Sequence, residues 1–342
     1  MTGAEATATT AAPARSVPRN GWLVVAAKEF ADHVMSVRFF VLLIVIGLAA
    51  GIPLFLATER IHQLASQVSG AQAVFLALFI IAPQDTSIFG LDISVQGFIG
   101  LAAPLLGIAF AFDAVNGERA QGTLPRLVAQ PIHRDDVING KFVACLAAIT
   151  LVLLSVVLLI SGFGMLRLGI VPAWVEVLRL IIWFVVTVAY VAVWLAFGLL
   201  LSVIVHRAAT AALIGFGVWM GIAMFGRFLL NLLLGAIAPV TDATAVDRAL
   251  GLYQLHAFVL RLLPTTLYSE ASSVLLNPQL TATSTPATLG QLAQAQQQVL
   301  PTLRSLDQSL LLVWPHVVAL VALTVICFAI GYIQFMRQEV RA

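Results

Sequence analysis

The side chains able to do chemistry are concentrated in one stretch, FDAVNGERAQGTLPRLVAQPIHRDDVINGK, residues 112–141. Glu118, Arg119, Arg126 and Arg134 surround a few apolar residues there, Leu124, Leu127 and Val128, while both flanks are nearly unbroken Leu, Val, Ile, Ala, Phe and Gly. Exposed charges around a small apolar knob suit the docking of another protein, because apolar anchors carry most of an interface's energy and charges fix its register. Local signals order the stretch. Thr123 is placed to cap a short helix, Pro125 falls in its first turn, where a missing N–H costs nothing, and Pro131 ends it. Arg134, Asp135 and Asp136 then open a new helix, with the acids at the N-terminus where the dipole favours them.

Catalytic chemistry finds no pattern to use. Gly140-Lys141 is followed by Phe142, not by the Ser or Thr of a phosphate-binding loop, and neither a His-Glu-x-x-His helix nor a Gly-x-Ser-x-Gly turn occurs. The six histidines lack ligand spacing, and Cys145 and Cys327 each sit alone in apolar sequence, as small buried side chains do. The expectation is a chain with no enzymatic activity, metal or cofactor of its own.

The elements holding the charged stretch follow from composition. Of 342 residues, 61% are hydrophobic and 10% charged, against about 25% charged in ordinary soluble domains, so the bilayer must serve as solvent. The net charge of +2 argues against nucleic acid as a partner. Six runs reach the roughly 20 apolar residues a span needs: 39–57, 93–112, 142–166, 177–205, 208–238 and 310–335. A seventh, 71–82, is too short and reads as a small helix at the outer surface or tucked against its neighbours. Lys and Arg near the span ends place both termini inside, with Arg60, Arg167 and Arg179 in the short outer loops. The fold class is therefore all-α, an integral membrane protein with six transmembrane helices.

Residues 1–20 are polar and read as a disordered cytosolic tail, followed by an interfacial helix over 21–37. Lys28, Glu29, Asp32, His33 and Ser36 form its polar stripe, opposite Leu23, Ala27, Phe30, Ala31 and Val34, so it should lie flat on the cytosolic face. The membrane-spanning body, 38–342, includes the cytosolic loop 114–141 and an outer helical segment, 239–309. That segment reads as an external cap: an amphipathic helix over 245–263 stopped by Pro264, a short helix over 269–276 capped by Ser269, and a Gln-rich helix over 289–300. His316, just after Pro315, reads as a polar side chain at the outer interface. Arg227, with Asn231 on the same span, supports two readings of equal weight: snorkelling to headgroups, or lining a substrate path. Gly217 and Gly221 form a Gly-x-x-x-Gly pair through which helices could touch.

The loop also carries a resemblance. Glu118-Arg119, Gly122-Thr123-Leu124, an apolar helix, Pro131, Arg134 and Gly140-Lys141 are similar to the first cytosolic loop of type-two ABC transporter permeases. The Lys28-Glu29-Phe30 helix, Ser269-Glu270-Ala271 and Leu276-Asn277-Pro278 resemble the subgroup with a long last outer loop, which includes the permease for maturing nitrous-oxide reductase. Pro125 departs from the pattern. The resemblance implies a plasma-membrane half-transporter, an exporter, that pairs with a second permease copy, contacts lipid, and binds two separate ATPase subunits that hold ATP and Mg. Lys28, Glu29, Glu118, Arg119, Gly122, Thr123, Leu124, Leu127 and Arg134 are then the residues for ATPase coupling. An ion-coupled secondary transporter, an embedded enzyme and a non-transporting anchor remain the competing readings.

Overall fold

A computed structural model describes residues 21–63, 74–81, 94–122, 133–237, 254–278 and 304–337. The expected tail 1–20, the docking helix within 123–131 and the Gln-rich helix 289–300 lie outside the described residues, as does the start of the 245–263 helix. Everything described is helical or a connection between helices. The elements are α1 (Gly21–Val34), α2 (Val37–Gln63), α3 (Val74–Ile80), α4 (Val95–Ala111), α5 (Asn116–Ala120), α6 (Arg134–Leu168), α7 (Trp174–Ile204), α8 (Ala208–Met220), a π-helical turn (Gly221–Gly226), α9 (Arg227–Ile237), α10 (Pro264–Leu276) and α11 (Leu306–Arg337). Six of these units are long and apolar enough to cross a membrane, and each coincides with an expected span.

The spans run alternately between a near end, which carries α1, and a far end, which carries α10. α7 is the central post, packed against α4, α11, α10, α6 and α8. Trp183 and Tyr190 of α7 are fully buried in one continuous core with Phe79, Phe110 and Leu106. Two glycines let α4 reach α7: a Cβ at Gly107 would lie 2.8 Å from the Leu195 backbone nitrogen, and one at Gly198 would lie 2.9 Å from the Ala111 Cβ. Gly217 and Gly221, the pair expected to bring helices together, have nothing within 4 Å. They face open space in this chain, and the close crossing is made elsewhere.

The segment before the sixth span also differs from expectation. Its short helix begins at Pro264, five residues before Ser269, because Pro at the first helical position starts a helix without losing a needed N–H. Ser269 instead donates to the Thr266 carbonyl within the helix. Nor is α10 an external cap. Thr266, Leu267, Tyr268, Ala271, Ser272, Val274, Leu275 and Leu276 are buried, with Tyr268 stacked on Tyr190 at 4.5 Å between ring centroids. Thr266 Oγ1 is left without a partner, but the other polar groups that join this helix to α7 are paired. Trp183 Nε1 donates to Ser272 Oγ at 3.0 Å, Thr187 Oγ1 and the Tyr268 hydroxyl share a hydrogen bond, and Tyr190 donates to the Gly100 carbonyl.

Arg179, expected in an outer loop, is buried near the start of α7. It donates to the Leu275 carbonyl, to Ser309 Oγ at 3.0 Å and to the Arg304 carbonyl at 2.6 Å, tying α10 and α11 to the post. The short seventh helix is tucked in: Phe75, Leu76, Leu78 and Phe79 of α3 are buried, and Glu176 of α7 accepts from the Phe75 N–H.

Candidate functional site

At the near end the second span does not stop at its last apolar residue. α4 ends at Ala111, turns through Phe112–Val115 and resumes as α5. No side chain of its own caps α5, so Ser202 of α7 does so: its Oγ accepts from Val115 N at 2.9 Å and Asn116 N at 3.2 Å. Asn116 Nδ2 reaches the Val205 carbonyl, so the start of the charged loop is pinned to the end of the central post. Gly122 closes the described part of the loop at φ +67°, a left-handed conformation that favours glycine.

Three elements converge on one cation. Lys141, in the second turn of α6, is buried, with Glu118 Oε1 of α5 at 2.7 Å and Glu29 Oε2 of α1 at 3.3 Å. Lys28 lies outside this triad, 3.1 Å from Glu29 and 3.0 Å from Asp32. Burial works against the Glu29 carboxylate, but Lys141 and Lys28 outweigh it and hold its pKa below the usual range. One residue before Lys141, Gly140 is where α1 and α6 touch: a Cβ there would meet the Val25 side chain at 2.7 Å and the Trp22 carbonyl at 2.9 Å. A second ion pair lies alongside, with Arg38 of α2 donating two hydrogen bonds to Asp113, at 3.0 and 2.6 Å, and stacking 5.2 Å over the Phe112 ring. His33 fills the space between them, edge-on to Phe110 and 3.2 Å from Cys145 Sγ. Its pKa is depressed, first by burial.

Two expectations are corrected by this geometry. Glu118 and Arg119 are not exposed charges around a knob: both are partly buried, and Glu118 is turned onto Lys141. The stripe on α1 is only partly solvated: Lys28 and Asp32 are exposed, whereas Glu29 and His33 are partly buried against the bundle with Val25, while Leu23 and Val24 are exposed. Pairing to Lys141 made the inward placement of Glu29 possible, and hydropathy alone had no means of registering that. Arg134 opens α6 as expected, partly buried, with Asp135 and Asp136 in its first turn. Thr123, Leu124 and Leu127 lie outside the described residues. Arg227 and Asn231 are exposed on the far half of the fifth span, directly after the π-helical turn, and the structure does not join them to the near-end cluster. Asp113, Arg38 and Ser202 join the site without having been expected there, and Lys141, expected only as part of the loop motif, is its centre. The signal for Lys141 and Asp113 was a charge next to an apolar run. Ser202 gave none.

A six-span helical bundle with an inturned first helix and a charge-pinned loop defines a multi-span membrane protein. The chain belongs to the ABC-2 family of transporter proteins, whose family model matches residues 23–340. It is also similar to a "Probable ABC transporter permease protein NosY" of Stutzerimonas stutzeri, 32% identical over 154 residues. That match covers 43% of this chain and spans about half, 54%, of the relative's length.

Proposed function

We propose that this chain is the permease subunit of an ATP-driven exporter whose ATPase docks at the near end. The observation that carries the reading is the convergence of α1, the α4–α5 turn and α6 on Lys141. A partner pressing on either α1 or the loop moves the start of α6 with it, because the three are joined by a buried ion triad and by the close contact at Gly140. ATP and Mg belong to that partner, present in two copies beneath two permease chains. Both termini lie on the partner's side, in the cytoplasm, and the membrane is the plasma membrane. Lys28, Arg119, Gly122, Thr123 and Arg134 border the docking face, and Leu124 and Leu127 supply its apolar anchor.

The second copy packs on the first and fifth spans. Only 17% of the most apolar stretch of the fifth and sixth spans is buried within the chain and 28% of the first, against 56% of the second; the open Gly217–Gly221 pair favours the fifth over the sixth. Arg227 and Asn231 then face a path between the copies. The test is pull-down of the ATPase together with ATP hydrolysis by the complex. A Leu124→Ala, Leu127→Ala chain, altered away from the internal triad, should insert normally and lose ATPase binding at least about tenfold, since apolar anchors of this kind are worth over 1 kcal/mol each. Wild-type binding and hydrolysis by that chain contradict the docking face.

A further inference from the structure

Two arginines meet at the far end with no acid to balance them. Arg179 of α7 is 2% exposed, and its hydrogen bonds go to neutral oxygens: Leu275 O, Ser309 Oγ and Arg304 O. The Leu275 carbonyl belongs to the last turn of α10, where the helix dipole offers only a partial negative charge. Arg304 joins this group through its backbone. Its carbonyl accepts from Arg179 at 2.6 Å, and its N–H donates to the Pro278 carbonyl at 2.9 Å. Its side chain takes part in neither bond. Nη1 of that side chain is shut off from solvent without a hydrogen-bond partner, while the residue as a whole is partly open.

The nearest acids are engaged elsewhere or turned away. Glu176, one turn before Arg179, accepts from Ala173 N and Phe75 N, and Glu270 is held by Arg261 and His316. Asp307, one turn after Arg304, is exposed. Among the described residues no carboxylate forms an ion pair with either arginine, and the sequence between Glu270 and Asp307 contains no acid at all. Burying a charge is costly unless it is paired, so two adjacent guanidinium groups call for an anion from outside the chain.

Depth selects among anions. α7 has 31 residues, about 46 Å of helix against a hydrocarbon core of about 30 Å. Centred in the bilayer, it leaves about 8 Å at each end among the headgroups. Arg179 follows Trp174, the first residue of α7, by about 7.5 Å along the axis. Its long side chain, tilted toward the helix N-terminus as helical side chains are, reaches outward to the level of the lipid phosphates. Trp174 is 71% exposed, as suits an aromatic ring at that boundary. Arg304, just before the start of α11 at Leu306, stands at the same level.

We propose that Arg179 and Arg304 form a site for a phosphate group at the far end of the bundle. The planar fork of Arg304 takes two phosphate oxygens, and Arg179 adds a second positive charge behind it. A lipid headgroup presents this chemistry at this depth, and free phosphate presents it from solution. An occupied site neutralises the junction of α7, α10 and α11. It depends on this chain alone and stands apart from the ATPase reading.

The experiment uses the full chain in detergent, titrated with phosphatidylglycerol and followed by native mass spectrometry. The wild type should hold one lipid more tightly than the rest. R304Q keeps the backbone bonds of Arg304 and should bind that lipid at least about tenfold more weakly, the loss of one charge-assisted hydrogen bond. R304K should recover part of the affinity. R167Q, which removes an exposed arginine at the same end, should bind as the wild type does. Melting curves with inorganic phosphate in place of lipid separate the two sources. A rise in the wild type but not in R304Q, with no difference in lipid binding, assigns the site to the free anion. Equal lipid and phosphate responses in wild type and R304Q, or equal losses in R304Q and R167Q, overturn the site.

Discussion

Lys141 is a cation with almost no access to water, and it neutralises carboxylates from two other elements. Removing one member of a buried ion group leaves the rest uncompensated, typically at a cost of about 3–5 kcal/mol. Lys141→Met should therefore lower the melting temperature and free α1 to exchange its amides, whereas a Lys141→Met, Glu118→Gln chain should recover part of the loss. Equal stability of Lys141→Met and wild type would show the triad to be incidental. The same site predicts a pH response. His33 is held below its ordinary pKa of 6.5 and Glu29 below 4.5, so the folded state binds fewer protons than the unfolded one in each range. Stability is then complete above about pH 6.5 and falls on acidification, first as His33 is forced to charge beside Lys141 and Arg38, then as Glu29 is neutralised. Melting curves between pH 7.5 and 5.5 should show the first step, and His33→Gln should remove it. A flat curve in the wild type contradicts the burial of His33 against Cys145 and Phe110.

Among the elements, α4 and α7 depend on a glycine contact at the backbone itself. Gly107→Ala places a methyl 2.8 Å from Leu195 N, which cannot rotate away, and overpacking of this kind costs about 1–3 kcal/mol. Gly217→Ala meets nothing within 4 Å and should leave the monomer unchanged or slightly more stable. Thermal melts of the two variants in detergent give the comparison, and equal effects would contradict the crossing. The spans themselves were legible because bilayer thickness imposes a length that sequence displays directly. α10 was legible only as a helix. Its insertion depends on Tyr268 pairing with Thr187 and Ser272 with Trp183 across elements about 80 residues apart, and no local pattern records such a pairing. The Gly-x-x-x-Gly pair marks no crossing within the chain for the converse reason: small residues permit contact without requiring it, while the contacting glycines, Gly107 and Gly198, sit on different helices and form no motif.

Across the whole molecule, α1, α5 and α6 are joined by ion pairs at the near end, and α10 packs against α7 and α11 at the far end. Exposed positions at the two ends, Ala120 and Val171, should label from opposite sides of the membrane when each is replaced by Cys, Ala120 from the cytoplasm. Labelling of both from one side would break the alternation of the six spans. Gly221→Leu should weaken pairing of two copies if the fifth span forms that contact, read as the oligomer ratio in native mass spectra. The most direct test of the central claim is cross-linking. A photoreactive p-benzoylphenylalanine at Ala120, at the end of α5, should capture the ATPase subunit in membranes from cells making the complex, and the same group at Leu166, exposed at the far end, should not. Capture at Leu166, or none at Ala120 while the complex remains assembled, would contradict docking at the near end.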